Sequence, residues 1–218
     1  MRIALINPNT STATTWQMVR IATPHFSGPI EGLTAPFGAP LITTPDALNQ
    51  AALAVHALLP QLDGYDGIVV SAFGDPGQAA LVRSLQVPIV GIAEAAMAEA
   101  HAVAPRFAVV TTTLELIARI GQRANDLGYR PAYAGCWITP GDPADLTANP
   151  DRLLIALRDA ALAALAADPA IGAVIIGGGP LAEAAEALAG DLPVPVIQPI
   201  PAAMRLVRSR IDHRDITT

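Results

Sequence analysis

The chain has 218 residues, 52% of them hydrophobic and only 15% charged, against roughly 25% charged in an ordinary soluble domain, which excludes intrinsic disorder and requires a large buried core. Its net charge is −6, and the 13 basic residues are all Arg. A lysine Schiff base, a PLP lysine anchor and the lysine of a phosphate-binding loop are therefore excluded, and an acidic, lysine-free chain is poorly suited to neutralising nucleic-acid phosphates.

One cysteine, Cys136, allows no intrachain disulfide and fits a reducing compartment, so a cytoplasmic location is expected. The start, Met1-Arg-Ile-Ala-Leu-Ile, turns polar at Asn7 and lacks the apolar run of a signal peptide, so export by that route is not expected. The longest apolar candidate for a membrane span, Ala47 to Leu62, contains Asn49, Gln50, His56 and Pro60 and falls short of the ~18 residues needed.

In chain order, short β-branched runs alternate with Ala/Leu-rich stretches of helical period, the pattern of βαβ units around a parallel sheet. Strands are predicted at Arg2–Ile6, Gly67–Ser71, Pro88–Ile92, Phe107–Thr111, Ala173–Gly177 and Val194–Ile197. Helices are predicted at Thr12–Ala22, Pro45–Leu59, Gly77–Ser84, Ala93–Ala102, Leu114–Gly128, Pro150–Ala167, Leu181–Ala189 and from Ala202 to Arg210. Arg205, Arg208, Arg210 and Arg214 read as a solvated face of that last helix.

The chain also reads as a duplication. Arg2-Ile-Ala-Leu-Ile matches Arg106-Phe-Ala-Val-Val at an offset of 104, Asp66-Gly-Ile-Val-Val matches Gly172-Ala-Val-Ile-Ile at 106, and Val87-Pro-Ile-Val matches Val194-Pro-Val-Ile at 107. The expectation is an α/β fold of two pseudo-symmetric lobes, each a parallel sheet flanked by helices, with a ligand cleft where the carboxyl ends of the strands face each other. The first lobe is assigned residues 1–97 plus 199–218, and the second 98–198. Ala72 and Gly178 become equivalent positions across that cleft.

Several segments carry a resemblance to the aspartate/glutamate/hydantoin racemase superfamily, most closely its hydantoin and allantoin racemase branch. These are Ile6-Asn-Pro-Asn-Thr-Ser11, Phe73-Gly-Asp-Pro-Gly77, Val87-Pro-Ile-Val-Gly-Ile-Ala-Glu-Ala-Ala96, Phe107-Ala-Val-Val-Thr-Thr112 and the Gly177–Gly179 turn. The resemblance implies cofactor-independent chemistry at a carbon next to a carbonyl, performed by two cysteines that act as bases on opposite faces. It places those cysteines at positions 72 and 178, where this chain has Ala72 and Gly178. Cys136 lies away from either strand end and reads as a structural, half-buried thiol.

Substrate-binding candidates are Asn9 and Ser11, whose amide and hydroxyl follow a strand and can hold a carboxylate or ring carbonyl, with helix capping as the alternative. Thr111, Thr112 and Thr113 occupy the equivalent turn of the second lobe. Phe73, Gly74, Gly178 and Gly179 stand where the family uses main-chain N–H groups to hold an enolate. As replacement catalytic groups the candidates are Asp75, the carboxylate nearest position 72, and Ser71; a turn or cap is the alternative for Asp75. Glu94, His25, His56, His101 and His213 read as surface, capping or core residues, and no residues have metal-ligand spacing, so neither metal nor cofactor is expected. Tyr129 and Tyr133 are possible proton donors that the sequence does not place.

The reading is a racemase-superfamily protein, an isomerase by resemblance, acting on a small hydantoin-like amide, imide or carboxylate by chemistry independent of the thiol pair. Alternatives are a lyase, decarboxylase or hydrolase on a small cyclic amide or acid, or an inactive small-ligand-binding pseudoenzyme. The partner is a small molecule, with no nucleic acid and no membrane, and a homo-oligomer is expected from the family and the apolar composition.

Overall fold

Charge-free runs such as Ile3-Ala-Leu-Ile and Ala173-Val-Ile-Ile are buried on both faces, the environment that a parallel strand between helix layers provides. The computed structural model describes residues 1–215. Its first half runs β1 (Ile3–Asn7), α1 (Thr12–Ala22), β2 (Ile30–Thr34), α2 (Pro45–Ala57), β3 (Gly67–Val70), α3 (Gln78–Ser84), β4 (Ile89–Gly91) and α4 (Ile92–Val103). The second half runs β5 (Phe107–Thr111), α5 (Ile117–Asp126), β6 (Tyr133–Ile138), α6 (Pro143–Thr147), α7 (Pro150–Ala167), β7 (Ala173–Ile176), α8 (Ala182–Leu188), β8 (Val196–Ile197) and α9 (Pro199–Asp215).

Two four-stranded sheets result, ordered β2-β1-β3-β4 and β6-β5-β7-β8, with every pairing parallel. The same order in both halves is the fold-level form of the internal repeat. Alternation along the strands divides the core. Ile3, Leu5 and Val69 of one sheet and Phe107, Val109 and Ile175 of the other share one apolar cluster with α4 and α9. Their strand neighbours face outward into separate clusters: Ala4, Ile6, Ile68 and Val70 in the first half, Ala108, Val110, Val174 and Ile176 in the second. The lobe division at 97/98 falls inside α4, and the last three residues of the first-lobe assignment lie outside the described residues.

The edge strands β2 and β6 escape the sequence reading, because neither is a β-branched run, whereas the opposite edges β4 and β8 are read from it. In β2 the sequence Ile-Glu-Gly-Leu-Thr includes Gly32, where a Cβ would stand 2.7 Å from Thr15 of α1, so glycine lets the helix approach. In β6 the register slips opposite Phe107/Ala108, and Gly135 sits at φ +141°. The predicted helix at 114–128 is a 3₁₀ turn, Leu114–Leu116, followed by α5, and the last helix begins at Pro199. The arginines of α9 are not merely solvated: Arg205 binds Glu99 through two hydrogen bonds of 2.9 and 2.7 Å, and Arg210 pairs with Glu94, so α9 is tied to α4. Among the described residues, no helix is long and apolar enough to cross a membrane.

Candidate functional site

The loop after β1 is organised by Asn7, which is fully buried. Its Nδ2 donates to Asn9 Oδ1 at 2.7 Å, to the Ser11 carbonyl at 2.9 Å and to Thr15 Oγ1 at 3.0 Å. Asn9 Oδ1 also accepts the Ser11 N–H at 2.9 Å, so both its contacts are made through oxygen and its Nδ2 hydrogens are left for another partner. Ser11 caps α1 by accepting the Thr14 N–H at 3.2 Å. Of the two candidates in this loop, Asn9 lines the pocket described below and Ser11 does not.

The turns after β3 and β7 meet. A Cβ on Gly177 would stand 3.2 Å from the Phe73 ring, and a Cβ on Gly179 would stand 2.9 Å from the Ser71 carbonyl and 2.7 Å from Met18 Sδ. Under the repeat offset of 106, Ser71 corresponds to Gly177 and Phe73 to Gly179, so these contacts exchange with each other. A pseudo-twofold axis therefore relates the two turns, with Ala72 and Gly178 at the centre of each. Among the described residues, the N–H groups of Phe73, Gly74, Gly178 and Gly179 are not consumed by turn or cap hydrogen bonds.

These turns form part of a pocket of about 590 Å³ of empty space, its open mouth included. Its polar lining is Asn9, Ser71, Thr111, Thr112, Thr113 and Thr147, together with the Gly177–Gly179 backbone; Ala72 and Phe73 also line it, and Gly74 does not. Leu41, Ile42, Leu48, Leu116, Ile120, Pro180 and Leu181 complete it. Among the described residues, that lining holds no carboxylate, imidazole, thiol, phenol, ammonium or guanidinium. Ser71 is 2% exposed, and among the described residues its Oγ finds no hydrogen-bond partner. An unpaired buried hydroxyl is costly, and one at a pocket wall is positioned to be satisfied by a ligand.

Asp75 lies outside this lining. Its side chain is fully buried; it accepts the Ala93 and Glu94 N–H groups at the start of α4 at 2.8 and 2.9 Å, and Arg123 Nε at 2.8 Å. Gln78 links Arg123 to Glu94, which in turn pairs with Arg210. Asp75 thus caps a helix of its own half and receives an arginine from α5 in the other. A Cβ on Gly91 would fall 2.0 Å from Asp75 Cγ, so glycine is required there. Burial pushes the Asp75 carboxyl up to about 6, while Arg123 and the two amides pull it back down.

Cys136 lies within β6, outside the pocket lining, and burial pushes its thiol up to about 12. With so little thiolate, Cys136 is expected to resist iodoacetamide at pH 8 in the folded chain. In denaturant it should alkylate about 1,000-fold faster, a ratio that follows from about three pH units of pKa difference and is read by mass spectrometry. Comparable native and unfolded rates would contradict the buried placement. Tyr129 packs on His101 and Phe107, and Tyr133 on Phe107; neither tyrosine lines the pocket. Among the described residues no group of three or more His, Cys, Asp or Glu is arranged to hold a metal ion.

Sequence reasoning missed the apolar wall. Leu41 and Ile42 sit in an irregular segment without a periodic signal, and Leu116 and Ile120 read as ordinary core positions.

Two like parallel sheets, with a pocket lined by residues at their carboxyl ends, define a two-lobed α/β protein. The chain belongs to the Asp/Glu/hydantoin racemase family, whose model matches residues 3–207. It is 26% identical over 219 residues to a hydantoin racemase of Pseudomonas sp. (strain NS671), covering 97% of this chain and 86% of that protein. The structure of an allantoin racemase from Klebsiella pneumoniae superposes with a TM-score of 0.89 at 32% identity, covering 98% of this chain and 89% of that one. An allantoin racemase from Pseudomonas fluorescens gives 0.91 at 27% identity, covering 98% and 92%.

Proposed function

We propose that this chain is an enzyme acting on a small hydantoin-like amide, imide or carboxylate at a carbon next to a carbonyl, without a cofactor and without a pair of thiols. The observation that carries this reading is the pocket lining, which offers hydroxyls, a carboxamide and main-chain N–H groups but no ionisable side chain. Inversion by two bases needs a proton acceptor on each face of the carbon, and neither Ala72 nor Gly178 is one. What remains is stabilisation of charge developing on a carbonyl oxygen. For a substrate bearing a carboxylate, decarboxylation uses that alone: the C–C bond to the carboxylate breaks, CO2 leaves, the electron pair stays as an enolate, and water returns the proton and leaves as hydroxide. Asp75 serves in this account as a structural anchor, and Ser71 as a hydrogen-bond donor to substrate.

Substituted malonates, 5-substituted hydantoins and allantoin, incubated with the chain and followed by liquid chromatography and mass spectrometry, test this. A new product is expected, at an equal rate in Cys136→Ala. The same lining, lacking any acid or base, also favours a second reading, a binding protein that has lost catalysis. That reading predicts a ligand-dependent rise in melting temperature with no product. We further propose a cytoplasmic homo-oligomer, supported by the single cysteine and by exposed apolar side chains such as Trp16, Leu53 and Ile155.

A further inference from the structure

The polar lining of the pocket is concentrated at strand ends, while part of its apolar lining comes from the segment around the start of α2. Asn9, Ser71 and Thr111–Thr113 stand at strand ends, whereas Leu41 and Ile42 precede α2 and Leu48 lies in it. Leu48 reaches the turn after β3, its methyl groups 3.5 and 3.7 Å from where a Cβ on Gly74 would stand. The corresponding segment after β6 contributes Thr147, so the pseudo-symmetry of the floor is broken in the wall. Asp75 and Arg123 are paired with each other, and Arg119 is bound to Asn49.

We propose that Leu41, Ile42 and Leu48 are specificity-determining residues that select a ligand with an uncharged, apolar substituent and disfavour one bearing a carboxylate, ammonium or ureido group. The inference rests on the reading of the site as one for a hydantoin-like ring or acid. With the polar head at the strand ends, the substituent lies against the leucine and isoleucine methyl groups. A ureido or charged group there exchanges water for leucine and isoleucine side chains that offer neither donor nor acceptor, and an aliphatic group gains contact with each methylene.

Isothermal titration of the full chain with hydantoin, 5-isobutylhydantoin and allantoin tests the proposal. 5-Isobutylhydantoin is expected to bind about tenfold or more tightly than either hydantoin or allantoin. Ile42→Asn, and separately Leu41→Ala, should shrink the preference for 5-isobutylhydantoin over hydantoin several-fold; both sites are partly exposed, and an unchanged melting temperature verifies folding. Allantoin binding as tightly as 5-isobutylhydantoin, or a preference untouched by both variants, would overturn the inference while leaving the site reading intact. No binding of any of the three would overturn the site reading itself, and the inference with it.

Discussion

Replacing Asp75 with alanine is expected to lower the unfolding free energy by about 3–5 kcal/mol, the cost of leaving one partner of a buried ion pair alone. For a chain of this length that is a fall of about 10 °C in melting temperature. One carboxylate holds the turn after β3, the first N–H groups of α4 and Arg123 from the other half, so its removal loses a cap and strands a guanidinium. Asp75→Asn keeps an acceptor for an amide N–H and is expected to cost less. The pH dependence has a definite sign. The folded carboxyl titrates at about 6 against an ordinary 3.8, so the folded state takes up the proton first. The proton-linked part of this group's stabilisation is fully present below about pH 4 and is lost as pH rises through 6, leaving the ionised carboxylate with its Arg123 and amide partners. Urea melts between pH 4 and 7 should show that fall in the native chain and not in Asp75→Asn; parallel profiles would contradict the burial argument.

The second large effect is a gain. Ala72→Cys combined with Gly178→Cys is expected to create exchange of the α-proton of a 5-substituted hydantoin in D2O, about 100-fold or more above either single variant, since each face then has a base. The pseudo-twofold contacts Phe73 with Gly177 and Gly179 with Ser71 carry this expectation, because they put the two positions in equivalent places on either side of the axis. Position 178 is the harder one: its φ is +156°, and a Cβ would lie 3.1 Å from Leu181 Cγ. Strain there is on the order of 1–3 kcal/mol, so folding of the double variant is checked by its melting curve. A folded double variant that exchanges no faster than the single ones would show that the pocket is not shaped for family substrates.

The parts of the fold legible in the sequence are those under uniform burial. β1, β3, β5 and β7 are apolar on both faces and read directly as strands, and their duplication located Ala72 and Gly178. Of the four edge strands, β4 and β8 were legible, while β2 and β6 were opaque: there glycines serve packing and register, and side chains only partly buried erase the apolar signal. At the site, Asn9 and Thr111–Thr113 were legible because polar residues ending a buried strand have few structural reasons to be there. Ser11 carried the same signal and is spent on a helix cap. Asp75 stood next to position 72 in sequence, yet a positive φ of +52° accompanies its burial under α4, away from the pocket, and no local pattern reveals its partner 48 residues away. Leu41, Ile42 and Leu48 are placed by tertiary structure alone.

We propose that the racemase frame is retained in this chain without a proton-transferring pair. The most direct test is proton NMR of the unmodified chain in D2O with 5-substituted hydantoins, allantoin, free amino acids and substituted malonates, following the α-proton and all other signals together. New product signals are expected from at least one of these, and no compound is expected to lose its α-proton signal, while otherwise unchanged, faster than in a protein-free control. Exchange of the α-proton without a new product, at equal rate in Cys136→Ala, would contradict this proposal and require a pair of bases that the pocket lining does not contain.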